Sequence, residues 1–208
     1  MDNTYASTVK NGNPVVFPLL LVLIYYLPPT LLLTGVIPFT YRFYTLVTLA
    51  VVMIGVEYVR GFSLQDLGFR KDTLKPSLLW NGGLSLIFVA IMCTAYMAGW
   101  ITTPTIPDWN LFFVFYVFIS SPAQEFLFRS ALFAEMRRAG ITRLGWLILI
   151  SSITYCFLHI FYRDLITLGV TLFMGIVWGL IYHKYPNFWG VALSHAVLGV
   201  VSILVGII

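Results

Sequence analysis

Charge is scarce in this chain. Only 10% of its 208 residues are Asp, Glu, Lys or Arg, where a soluble domain carries roughly a quarter. With 60% hydrophobic residues, 17% aromatics and a mean hydropathy of +0.92, one water-exposed globule could not bury its apolar side chains. Lipid must therefore be the solvent for most of the chain. Cysteine is nearly absent: Cys93 and Cys156 lie in apolar runs, which excludes a disulfide framework or CxxC site and reads both as small packing residues. Strand-type alternation is missing, so no barrel is indicated and helices must satisfy the backbone in lipid. The net charge of +4 comes from scattered basic residues. No RNA-binding motif or zinc-finger spacing accompanies them, so nucleic acid is excluded as a partner. The opening MDNTYASTVKNGNP has no basic region leading into a short apolar core, and does not read as a cleaved signal peptide. No internal repeat is visible, which disfavours a transporter built of inverted halves.

What is present is a series of apolar runs with short polar breaks. They predict helices over Val15–Ile37, Tyr44–Tyr58, Ser77–Trp100, Asn110–Arg137, Leu144–Phe161, Leu165–Tyr182 and Phe188–Ile208. The expected fold is all-α: a polytopic membrane helix bundle of about seven, at most eight, helices around an intramembrane polar cavity. It forms one integral membrane domain over residues 1–208. Pro28 and Pro29 inside the first run remove two backbone donors and predict a kink or break. Between the second and third runs, RGFSLQDLGFRKDTLKPS mixes Phe62, Leu64, Leu67 and Phe69 with basic residues. It reads as a short amphipathic segment on the membrane surface or a solvated loop, and Ser63-x-x-Asp66 has capping-box spacing.

Basic residues test this helix count. Numbering the faces alternately puts Lys10, Arg60, Arg70, Lys71, Lys75, Arg137, Arg138, Arg143 and Lys184 on the N-terminal face. Only Arg42 and Arg163 fall on the other, and Arg129 lies within a helix. That bias places the N-terminus in the cytoplasm.

Few ionisable groups remain at membrane depth. They are Glu125 and Arg129 on the fourth helix, His159 on the fifth and His195 on the seventh. Glu57 is expected to reach the interface, and His183 to be solvated in the YHKYPN loop. A charge at mid-membrane is unfavourable by about 2.5–3.5 kcal/mol on insertion scales, so such groups turn inward. Glu125 and Arg129 are i, i+4 and can pair as structural glue. Two histidines on two further helices favour a site.

Such a set supports more than one chemistry. Glu and His can deprotonate a water while a second His donates to an oxyanion, as in amide hydrolysis without a covalent intermediate. Glu125, His159 and His195 could instead bind zinc, although HExxH is absent. No GxSxG is present, and a proton relay would also use Glu and His. Along straight helices Glu125, His159 and His195 do not lie level, so tilt is needed to bring them together.

QEFLFR (124–129), YCFLH (155–159) and HAVLG (195–199) stand in order on three helices. Together they resemble the CPBP family of CAAX-processing and bacteriocin-processing intramembrane proteases, also called the Abi family. Its pattern is Glu-Glu-x-x-x-Arg, then Phe-x-x-x-His, then His-x-x-x-Asn. NFWGVALSHA and LGFRKDTL also look family-like, and the motif core spans residues 110–205. The resemblance implies a multi-pass integral protein of a prokaryotic plasma membrane. It also implies an endopeptidase that needs no cofactor and acts on membrane-associated, prenylated or bacteriocin-like peptides. Carried over, Gln124 takes the water-activating position, Glu125 and Arg129 the supporting pair, His159 the co-activating base and His195 the oxyanion donor. Tyr155 replaces Phe, Gly199 replaces Asn and Gln124 replaces the first Glu. An amide positions water but cannot take its proton. The alternative is therefore an impaired member that serves as a membrane binding or immunity protein.

Overall fold

The computed structural model describes residues 15–100 and 109–206, and the side chains from residue 112 onward in the second stretch. The opening segment with Lys10, the signal-peptide reading and the last two residues of the expected seventh helix lie outside them. The described residues are helical with no strand. The helices are α1 (Val16–Leu33), α2 (Arg42–Val59), α3 (Leu74–Met97), α4 (109–138), α5 (Leu144–Leu158), α6 (Leu165–Lys184) and α7 (Phe188–Leu204). Five stretches are long and apolar enough to cross a membrane: Val16–Leu33, Phe39–Val59, Leu74–Met97, Leu144–Tyr162 and Leu165–Lys184. This is fewer than the seven crossings expected. Helix α7 has only 17 residues, and α4 is internally rewound.

The prolines explain the rewinding. Helix α1 does not break at Pro28 and Pro29. It widens to π geometry over Leu21–Tyr26 just before them, where a missing donor is absorbed without ending the helix. Helix α4 does the same over Tyr116–Ser120, before Pro122, and again over Phe126–Ala131. The second widened stretch leaves carbonyls reachable from the side. Tyr25 donates to the Leu127 carbonyl at 2.9 Å, and Ser151 to that of Phe128 at 2.9 Å. Every residue from Gln124 to Met136 is buried. A helix covered all round is the hub of a bundle.

Helices α5 and α6 are packed closely because Gly175 has no side chain. A Cβ there would meet Ser152 Cα at 3.0 Å. Helices α3 and α7 close in the same way, Gly190 against Ser77. Chain reversals after α2 and α4 use Gly61 (φ +72°) and Gly140 (φ +83°). Phe62 N donates to the Glu57 carbonyl at 3.1 Å, and Ile141 N to that of Met136 at 2.9 Å. These are the bonds that close a left-handed helix terminus.

The segment after α2 is neither a surface helix nor a free loop. The Ser63–Asp66 box forms, with Ser63 N donating to Asp66 at 2.9 Å and Asp66 N to Ser63 Oγ at 3.2 Å. It closes a turn only, and Leu67 is buried. The chain then docks on the α6–α7 connection. Phe188 N donates to the Gly68 carbonyl at 2.9 Å, Asn187 to the Arg70 carbonyl at 2.6 Å, and Thr73 to the Pro186 carbonyl at 2.8 Å. Asn187 also caps α7 through the amides of Trp189 and Gly190. Thus the LGFRKDTL and NFWGVALSHA stretches are two halves of one joint. Outside the bundle, the Arg70 hydrogen bond holds the Asp72 carboxyl below its ordinary range.

Two polar residues differ from expectation. Glu57 is buried, not interfacial, because its face of α2 turns toward α4. Nearby, Arg60 reaches back to the buried Glu135 with two bonds, Nε to Oε1 at 2.5 Å and Nη2 to Oε2 at 2.9 Å. His183 is not in a loop, because α6 continues to Lys184 and takes it into the last turn, half-buried.

If the α5–α6 contact sets the bundle, Gly175→Val should lower stability by about 1–3 kcal/mol through overpacking. Gly82→Val, whose Cβ would have nothing within 4 Å, serves as the propensity control. Thermal unfolding in detergent should separate the two variants.

Candidate functional site

Helix α4 presents neighbouring residues to two different surroundings. Consecutive residues point about 100° apart on a helix. Gln124 therefore lines a cavity of about 230 Å³, while Glu125 turns away from it into the core with no exposed surface. From α5, His159 ends the helix and lines the same cavity. From α7, His195 enters it at mid-helix. Despite the depth mismatch expected for straight helices, His159, the C-cap of its helix, shares the cavity with Gln124 and His195, and His195 meets Glu125 directly.

That meeting is the shortest polar contact of the site. His195 Nδ1 lies 2.6 Å from Glu125 Oε1. Arg129, also fully buried, brings Nε within 3.3 Å of Glu125 Oε2. This is an ion pair without hydrogen-bond geometry, since neither atom has a hydrogen-bond partner among the described residues. The guanidinium is instead covered by rings, 4.4 Å from the centre of Tyr155 and 5.4 Å from that of Trp178. Both contacts are within cation–π range. Trp178 also stacks on His195 with ring centres 4.8 Å apart, and its indole N–H is held by Ser194 Oγ at 3.1 Å.

Tyr155 ties these groups together. Its backbone carbonyl accepts from His159 Nδ1 at 3.0 Å. Its hydroxyl lies 3.4 Å from His195 Nε2. With the His159 proton on Nδ1, the lone pair on Nε2 is the one left for the cavity. Gln124 is oriented too, since Nε2 donates to Ser120 Oγ at 3.2 Å while Oε1 has no partner among the described residues.

The glycine in the third motif has a steric reason. A Cβ on Gly199 would collide with the hydroxyl of Tyr116, which lines the cavity with its ring centre 6.3 Å from that of His195. A phenol from α4 thus occupies the space that a side chain at 199 would need. Sequence reasoning missed Tyr116, Trp178 and the bridging hydroxyl of Tyr155. The only signal for Tyr116 was its position two helical turns before Gln124 on an apolar run.

One comparison with known proteins finds a match. Residues 106–201 match the family described as Type II CAAX prenyl endopeptidase Rce1-like. Over this segment, a little under half of its length, the chain is similar to the CAAX protease family. No curated protein and no solved structure matches the chain. The matched segment contains every residue of the site described above. Five helices of membrane-crossing length and composition, with the similarity to a membrane protease family, support an integral membrane protein.

The zinc set does not fit this site. Glu125 points away from the cavity and is held by His195 and Arg129, and His159 Nδ1 is taken by a carbonyl. Among the described residues no three His, Cys, Asp or Glu side chains gather as metal ligands would.

Removing Glu125 would leave Arg129 charged and unpaired in the core. Glu125→Ala should therefore destabilise by about 3–5 kcal/mol, whereas the double replacement Glu125→Gln with Arg129→Met should recover most of the loss. Thermal melts of the three proteins in one detergent measure this.

Proposed function

We propose that the chain is an intramembrane endopeptidase that cleaves membrane-associated proteins or peptides by an activated water, with no covalent intermediate. The convergence of Gln124, His159 and His195 from three helices on one cavity supports this reading most directly. We retain seven crossings with a cytoplasmic N-terminus, on the strength of the basic-loop bias.

In this reading Gln124 Oε1 and His159 Nε2 hold the water, and His159 takes its proton as oxygen attacks the scissile carbonyl carbon. Gln124 cannot be the base, because an amide has no basic site near neutral pH. Glu125 is not the base either, since its carboxylate faces away from the water. It accepts from His195 Nδ1–H and pairs with the imidazolium, whose Nε2 also carries a proton. His195 Nε2–H and the Tyr116 hydroxyl donate to the oxyanion, Tyr116 doing what a side chain at Gly199 cannot. When the C–N bond breaks, the proton held on His159 passes to the departing amine. The charges stay balanced throughout, and the reaction uses water alone.

His159→Ala should lower kcat by about 10²–10⁴-fold as a lost general base, and Tyr116→Phe by about 10²–10³-fold as a lost oxyanion donor. Gln124→Glu should raise it. Cleavage of a membrane-anchored peptide by purified protein in liposomes reads all three. Undiminished activity in His159→Ala removes the assignment. A chelator should leave the rate unchanged; loss on chelation with recovery on added zinc would restore the metal reading. One observation, the amide at position 124, favours a second reading: a binding or immunity protein on the same scaffold. Peptide binding that survives His159→Ala, with no cleavage by any variant, would decide for it.

A further inference from the structure

Two arginines, Arg42 and Arg163, stand apart from the basic loops. Arg163 is engaged, its Nη2 donating to the Leu33 carbonyl at 2.9 Å. Arg42 is different. It lines both the 230 Å³ cavity and a smaller one of about 40 Å³ beside it, and the two share Ser120, Gln124, His159 and Tyr162. Its guanidinium carbon sits 4.1 Å from the ring centre of Phe39 and 4.3 Å from that of Phe43. Nη1 donates to the Phe39 carbonyl at 3.2 Å. Nε is buried and has no hydrogen-bond partner among the described residues. None of the ion pairs formed by those residues includes Arg42.

A partly buried cation packed against two rings, with no counter-ion among the described residues, is costly as a purely structural feature. An arginine that merely snorkelled to lipid headgroups would turn its head outward and leave its stem in the apolar layer. Here the Nε edge is closed off from the surface, and the side chain borders the same space as Gln124 and His159. We propose that Arg42 forms a subsite for a carboxylate of the bound peptide. The planar fork of a guanidinium matches a planar carboxylate through two parallel bonds. The cavity is smaller than the ~300–1,000 Å³ that encloses a drug-sized ligand, so it admits a chain end or one side chain rather than a long segment. The subsite rests on the reading that this cavity takes peptides.

Binding can be measured without cleavage. The protein is placed in nanodiscs of phosphatidylcholine, and fluorescence anisotropy follows dye-labelled apolar hexapeptides. One ends in a free carboxylate, one in a C-terminal amide, and one is amidated with an internal Glu. Wild type should bind a carboxylate form about tenfold or more tighter than the plain amide, as expected for a charge-assisted bond. Whether the free end or the Glu form gains identifies the source of the carboxylate. Arg42→Gln should erase the preference, and Arg42→Lys should keep part of it. Equal binding of acid and amide by wild type overturns the subsite, as does a preference that survives Arg42→Gln. A preference that disappears when phosphatidylglycerol replaces part of the phosphatidylcholine, with no change in amide binding, assigns Arg42 to lipid phosphate and also overturns it. Acid-selective binding without cleavage leaves the subsite standing and overturns the peptidase reading; cleavage without acid selectivity does the reverse.

Discussion

A carboxylate with no exposed surface governs the centre of this protein. Glu125 receives His195 at 2.6 Å and Arg129 at 3.3 Å, so three titratable or charged groups share one small volume in a bundle surrounded by lipid. None of them is tolerable there alone. Each fixes the others: Arg129 offsets the carboxylate, and the carboxylate sets the proton position and tilt of the imidazole. Tyr155 and Trp178 cover the guanidinium and the imidazole with their rings. Remove the carboxylate and both the packing and the electrostatics of α4, α5 and α7 lose their common reference.

That cluster depends in turn on how α4 is wound. Three stretches of α-helix alternate with two of π geometry, and the wider turns let Pro122 sit inside a continuous helix. They also expose carbonyls that Tyr25 and Ser151 satisfy from outside. In lipid an unsatisfied carbonyl is a serious loss, so α1 and α5 are drawn against α4 at the level of the site. The same winding presents Gln124 to the cavity while Glu125 stays in the core.

Much of this was readable from residue order. The scarcity of charge, the long apolar runs and the i, i+4 spacing of Glu125 and Arg129 pointed to a helix bundle with a polar centre. His159 and His195 on separate helices pointed to a site. Other features carried no local signal. Arg60 looked like one more basic residue of a loop, yet it pairs with the buried Glu135, because the Gly61 reversal folds the end of α2 over α4. Glu57, near the expected end of its helix, looked interfacial and is buried because its face of α2 turns toward α4. The glycine at 199 read as a lost donor; the space beside it is filled by a phenol 83 residues earlier in the chain.

Residue order by itself determined the solvent of the chain, the helical class and the small set of groups able to do chemistry, because hydropathy and spacing act locally along a helix. Tertiary structure decided which of two adjacent residues faces the cavity, which cation pairs with which anion, and that Arg42 stands beside the site. Those outcomes turn on rotation and sliding of whole helices against one another. A rotation of about 100° exchanges one residue for its neighbour, and only the packing of the full bundle sets that angle.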